Sequence, residues 1–169
     1  QLQEGKPLGA YLLYETDGVW YDEAEIAGNT LDYSQVTPEL RPGDLKLVDY
    51  DGNGKIDGDD MVRQEDSFNP RFQYGITLDM SYKNFDLSLL FQGSQGGITS
   101  LFNGEFGDWG NYYKYQHDNR WSIDNPSRVH PRLASRADTW YTGGGYGNNT
   151  YNYGSTDYLR LKNLELGYN

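Results

Sequence analysis

Between Phe72 and Tyr82 the chain alternates without a break. Phe72, Tyr74, Ile76, Leu78, Met80 and Tyr82 fall on one side, and Gln73, Gly75, Thr77, Asp79 and Ser81 on the other. A period of two held this long predicts a β-strand with a single apolar face. Lys83-Asn84 makes a tight turn, and Phe85, Leu87, Leu89 and Phe91 repeat the alternation, so residues 71–93 are predicted to form an antiparallel hairpin. Aromatic residues stand at the two ends of its apolar face and aliphatic residues in the middle. A strand of that length tilted by about 45° rises roughly 25 Å, the height of the apolar band of a transmembrane β-barrel, whose aromatic girdles lie at its two rims. The same face would also suit the core of a soluble sandwich. Strand length, the order of aromatic and aliphatic residues and the lengths of the flanking loops favour the barrel.

Those flanking segments are long and unequal to the turn between the strands. Residues 94–156 hold ten glycines and twelve aromatics with no sustained period, an unusual length of irregular chain for a compact soluble domain. Outer-membrane barrels have short periplasmic turns and long extracellular loops. Segments 15–70 and 94–156 are therefore expected outside the cell, and Lys83-Asn84 on the periplasmic side. Before the hairpin, Leu8 to Tyr14 predicts a short strand, Tyr21 to Ala27 a helical turn, and Met61 to Gln64 another helical turn. Residues 157–168 give a third transmembrane strand, in which Tyr158, Leu164, Leu166 and Tyr168 share a face while Leu159 and Leu161 take the opposite phase. Either its upper half leaves the bilayer or a bulge switches faces. Three or four strands close no barrel, so residues 1–169 are expected to be part of something larger. The fold class is thus all-β, a piece of a large antiparallel transmembrane β-barrel with long extracellular loops.

Charge is distributed as unevenly as hydropathy. The net charge is −11, which argues against nucleic-acid binding. From Glu15 to Asp66 there are fifteen acidic and four basic residues, and the remainder balances. This acidic segment contains Asp49-Tyr-Asp51-Gly-Asn53-Gly54-Lys55-Ile56-Asp57-Gly-Asp-Asp60, which matches the calcium-loop pattern D-x-[DN]-x-[DN]-G with Asp in place of Glu at position 12. Calcium takes six to eight oxygens, and alternate side chains on a tightly wound loop converge on one point. Asp49, Asp51, Asn53, Asp60 and the Lys55 carbonyl are the expected ligands, with Asp57 acting directly or through water. Gly54 permits the turn and Ile56 pins the loop to a core. The plainer alternative is a surface turn with solvated acids. A filled site would be structural, since no histidine or neighbouring base accompanies the acids, and bound calcium would relieve the segment's self-repulsion.

No catalytic constellation stands out. His117 and His130 lie in the aromatic loop without cysteine or HExxH partners, and the chain has no GxSxG, no phosphate loop and no cysteine. The chain is not expected to be an enzyme. Trp109, Tyr112, Tyr113, Trp121, Trp140 and Tyr141 are candidates for contact with a substrate or partner, because their rings are amphipathic. The duller alternative is that most of them pack the loop on itself. Trp121 is expected to act as an anchor and Asn125-Pro126 as a turn.

Five motifs follow one another in an order that resembles the C-terminal part of SusC/RagA-type TonB-dependent outer-membrane transporters. They are PLGAY…TDGVW (7–20), RPGDLKLVDYDGNGKIDGDD (41–60), NPRFQYGITLDMSYKNFDLSLLFQGSQG (69–96), RWSIDNP (120–126) and DYLRLKNLELGY (157–168). The resemblance implies a barrel of about 22 strands around an N-terminal plug, importing glycans or peptides beneath a SusD-like surface lipoprotein with energy from TonB. It places the chain in the outer membrane, in contact with lipid. The plug, the TonB-contacting segment and most of the barrel lie outside this sequence, so this chain by itself is expected to transport nothing. A second possibility from the residues alone is a soluble extracellular module, stabilised by calcium, that binds carbohydrate.

Overall fold

The computed structural model describes residues 4–101, 113–135, 137–142 and 147–168, with the side chains of 141 and 142 excepted. Its elements are β1 (Ala10–Tyr14), β2 (Thr16–Val19), α1 (Glu23–Ala27), β3 (Leu45–Leu47), β4 (Met61–Ser67), β5 (Phe72–Tyr82), β6 (Phe85–Gln95), β7 (Ile98–Ser100), α2 (Lys114–Asn119), α3 (Thr139–Thr142), β8 (Tyr153–Ser155) and β9 (Tyr158–Tyr168). Where the sequence predicts a helical turn after the acidic loop, the chain runs extended as β4, which pairs with β1. No helix among the described residues is long and apolar enough to cross a membrane.

The chain divides into two compact units. One comprises Gln1–Tyr11, Gln64–Thr99 and Gly154–Asn169, the other Leu12–Arg63 and Ser100–Tyr153.

The first unit is built on a three-stranded antiparallel sheet in the order β5-β6-β9. Its hairpin register runs unbroken from Phe72↔Gln95 to Tyr82↔Phe85. Lys83 takes a φ of 54° in the connecting turn, the positive value that two-residue hairpin loops require. The rows of side chains across the sheet are Ile76–Phe91–Leu161, Leu78–Leu89–Leu164, Met80–Leu87–Leu166 and Tyr82–Phe85–Tyr168. Phe85 and Tyr168 meet edge to face at 5.0 Å, so one aromatic rim is a packed row. Toward the other end Tyr74 lies across Gly93, where a Cβ would fall 2.3 Å from its ring. The opposite face carries Gln73, Gln92, Asp79, Ser88 and Glu165, with the Ser88 hydroxyl donating to Asp79 at 2.6 Å.

The phase reversal within β9 is a bulge. Leu90 pairs with Asn163 and Phe91 with Leu161, so Lys162 is the extra residue. One inserted residue returns Leu159 and Leu161 to the apolar face of Leu164 and Leu166. All of the aliphatic residues of β5 and β9 on this face are exposed, Leu78 at 46% and Leu166 at 70%, so no protein described here covers it. The starts of β5 and β9 and the end of β6 lie at one end of the sheet, opposite Lys83-Asn84.

The second unit has a core of its own. Tyr14, Val19, Trp20, Tyr33, Val36, Leu45, Leu47 and Ile56 come from the earlier segment and Ala134 and Trp140 from the later one, all in one buried cluster. Both loops therefore fold together around a shared interior. β2 pairs with β3, and the Tyr33 hydroxyl bridges the β3 backbone by donating to Leu47 O and accepting from Leu47 N. Burial pushes that phenol up to about 12. Trp20 meets Tyr33 edge to face at 6.1 Å and carries the Lys46 ammonium 5.0 Å above its ring.

Asp44 belongs to the same unit, with its side chain fully buried. Arg132 donates to it through Nε at 2.6 Å and grips Asp138 through both terminal nitrogens at 2.8 and 2.9 Å. The Arg41 amide donates to the other Asp44 oxygen at 2.9 Å. Burial pushes the Asp44 carboxyl up to about 6 against the pull of Arg132, while Arg132 holds the more open Asp138 below the usual carboxylate range.

Candidate metal centre and family

The acidic loop winds as its spacing requires. Gly54 has φ +82°, a left-handed conformation that glycine adopts without steric cost. Ile56 is fully buried in the core and its amide donates to Asp32 O at 2.8 Å, while the Asp32 amide donates to Gly54 O. These contacts hold the loop's middle in place. The Asp57–Asp60 turn is closed by reciprocal bonds between each residue's side chain and the other end of the turn.

Asp49, Asp51 and Asp60 converge, each offering a carboxylate oxygen within 4.8 Å of the others. Asp60 is fully buried and accepts from the amides of Tyr50 at 2.7 Å and Asp57 at 2.8 Å, so position 12 is fixed by both ends of the loop. Asp49 accepts from Gly54, Gly52 and Asn53, and these amides, Gly54 foremost, hold its carboxyl below the usual range. Asp57 stands outside this cluster and turns Oδ1 to the Asp59 amide at 2.9 Å. The Asn53 side-chain oxygen accepts from the Lys55 amide at 2.7 Å, and the Lys55 backbone bridges to Asp32. An all-oxygen donor set with one wall fixed by Asp60 and Ile56 fits a hard cation of calcium type.

The aromatic candidates separate. Trp140 is 2% exposed and belongs to the core. As a contact for substrate it is corrected to a packing residue, because its indole is the largest fully buried side chain of the unit and has no face left for a ligand. Trp121 is partly buried against the same core and donates from Nε1 to Tyr21 O at 3.0 Å, so it is anchored as expected. The turn falls at Ile123-Asp124, closed by Ser122 and Asn125, and so lies just before the expected Asn125-Pro126. Tyr113 is exposed and precedes α2. Trp109, Tyr112 and the side chain of Tyr141 lie outside the described residues. His117 sits 3.3 Å from Asp118, and His130 meets the Tyr151 hydroxyl at 2.9 Å.

Two arrangements carry no local sequence signal. Asp44 and Arg132 meet across 88 positions. A cleft beside Trp121, with Tyr21, Arg41 and Ile123 in its lining, draws on both segments of the unit.

No protein-family model matches the chain. The TonB-dependent receptor P3 of Formosa agariphila is 34% identical over 169 residues, covering 99% of this chain and 16% of that protein. The TonB-dependent receptor P26 of the same organism is 30% identical over 155 residues, covering 90% of this chain and 14% of that protein. The chain thus spans about a sixth of the length of the relatives it matches. A sheet with one apolar and one polar face, edged by aromatic rows and matched along its length by such proteins, is a piece of barrel wall, and the chain belongs to the TonB-dependent receptors of the outer membrane.

Proposed function

We propose that the chain serves an importer of SusC/RagA type, which takes up glycans or peptides beneath a SusD-like lipoprotein and draws energy from TonB through an N-terminal region. In this reading β5, β6 and β9 are wall, with the apolar rows in lipid, and segments 15–70 and 94–156 are extracellular. The observation that carries it is the three-stranded sheet, whose long connections all leave from the end opposite the Lys83-Asn84 turn. Short turns on one side and long loops on the other are the habit of outer-membrane barrels.

The chain has no cysteine, so a single introduced thiol is the only one in this segment. Ile123, 87% exposed, and Asn84 can each be replaced by cysteine in the full receptor and whole cells treated with a membrane-impermeant maleimide. Ile123→Cys is expected to label on intact cells, and Asn84→Cys only after the outer membrane is opened. Labelling in the reverse order would defeat the proposed topology, and with it the importer reading.

Calcium in the loop of Asp49, Asp51 and Asp60, with Asn53, Asp57 and the Lys55 carbonyl completing the shell, has a structural role in this reading. It would hold an acidic extracellular segment in one shape. Extracellular modules bind calcium with dissociation constants of about 10⁻⁴–10⁻³ M, weak enough to need the abundant calcium outside cells. Calorimetric titration of the intact receptor is expected to show one such site that Asp49→Ala/Asp51→Ala abolishes. Equal binding by both proteins, or none by either, would leave a solvated turn.

A further inference from the structure

A cleft of about 650 Å³ opens in the second unit beside Trp121, within the size range of sites for small ligands. One face of the Trp121 indole rests on Gly43, where a Cβ would fall 2.8 Å from the ring. Tyr21, Pro42 and Pro126 add rigid apolar lining, and Ile123 lines the same cleft while remaining 87% exposed. An isoleucine so open beside an aromatic and prolyl recess is an anchor without a partner among the described residues.

The polar groups of the cleft decide what it would hold. Several of its nitrogen donors are already engaged. The Trp121 Nε1 donates to Tyr21 O, Arg132 is held by Asp44 and Asp138, and Arg41 is held by Glu39 at 2.8 Å and lies 3.6 Å from Asp138. Glu39 is answered by Arg41, but Asp22 and Glu23 also line the cleft and leave it with a surplus of carboxylate. A neutral sugar has no charge to set against these carboxylates. An aliphatic or prolyl side chain next to a cation matches the dry walls and the surplus of negative charge. We propose that this cleft captures an extended peptide in which an aliphatic or prolyl side chain is flanked by Lys or Arg. The proposal rests on the importer reading and narrows its substrate class to peptides.

The test uses the intact solubilised receptor and calorimetry with three probes: Gly-Arg-Leu-Pro-Gly, Gly-Glu-Leu-Pro-Gly and maltopentaose. The arginine peptide is expected to bind at least about tenfold more tightly than the glutamate peptide, the scale on which unlike charges discriminate partners. Ile123→Asp is expected to weaken it by about tenfold or more with the melting temperature unchanged, because an apolar anchor is lost from a surface position. Glu23→Lys/Glu39→Lys is expected to reverse the preference between the two peptides. Equal affinity for both peptides, no binding of either, or maltopentaose binding that Ile123→Asp removes would each overturn the proposal. Surface labelling of Ile123→Cys with no peptide binding would sink the peptide site and leave the importer reading standing. Peptide binding with labelling in the reverse order would do the opposite.

Discussion

Replacing Arg132 by alanine is expected to destabilise the second unit by about 3–5 kcal/mol, the usual cost of leaving one member of a buried ion pair without its partner. Asp44 has no exposed side-chain surface and relies on Arg132 Nε and the Arg41 amide. The pair need not add much stability in itself, since desolvation offsets its attraction. The stranded carboxylate is what costs. The sign with pH follows from burial. Asp44 is already pushed up to about 6, and loss of Arg132 raises it further. A carboxyl whose folded pKa lies above its unfolded value binds its proton more tightly when folded, so the variant's stability falls as pH rises through that range. Asp138 works in the same direction, since its lowered pKa stabilises only the parent and only above the ordinary carboxylate range. The deficit of Arg132→Ala relative to the parent should therefore shrink as pH falls from 7 toward 4. Adding Asp44→Asn to Arg132→Ala should recover part of the loss at pH 7, because a neutral amide can still accept from Arg41. Hydrogen exchange of the second unit in the solubilised receptor measures both. A cost below about 1 kcal/mol at pH 7 would mean that water reaches Asp44.

Placing arginine at Leu78 is expected to cost about 2–4 kcal/mol when the full barrel folds into a bilayer, as for cations near the midplane on a lipid-facing surface. Leu78 stands in the middle row, between Leu89 and Leu164 across the sheet and between the Tyr74 and Tyr82 levels along the strand. Thr77 is the control. It shares a row with Leu90 and Asn163 on the other face, and Thr77→Arg should cost far less, because that face meets water or protein rather than lipid. Denaturant titration of folding into vesicles reads both variants. Equal penalties at the two positions would place lipid on neither face.

Much of this was legible because β5 writes its environment in alternate residues. Phe72 to Tyr82 names both faces of the wall, and Asp49 to Asp60 names a loop whose glycine and isoleucine fall where the winding needs them. β9 was half legible. Its change of phase announced a bulge or an exit from the bilayer, and only pairing with β6 distinguishes them, since a bulge is defined by its partner strand. The segment after the acidic loop misled, because Met61 to Gln64 has no strong local preference and pairing with β1 decides its conformation. Trp140 misled for a related reason. An aromatic in a glycine-rich stretch offers the same letters whether it waits for a ligand or fills a core, and its neighbours Val36 and Leu45 lie about a hundred positions away in the chain. The meeting of Asp44 and Arg132 is hidden likewise, by distance along the chain.

The shared core of the second unit bears on how such a chain is made. Val19, Trp20, Leu45 and Ile56 emerge early, but Ala134 and Trp140, which complete their cluster, follow only after the β5–β6 hairpin. The early half must wait as an unfinished fold, and bringing its late partners home requires closing a long loop before any packing repays the entropy. The fifteen acids and four bases between Glu15 and Asp66 are a sound way to pass the interval, since like charges keep an incomplete chain soluble and apart from its copies. Its acidity, on this view, serves biogenesis, and neutralising residues outside Asp49–Asp60 would show first as aggregation during export and only later as lost function.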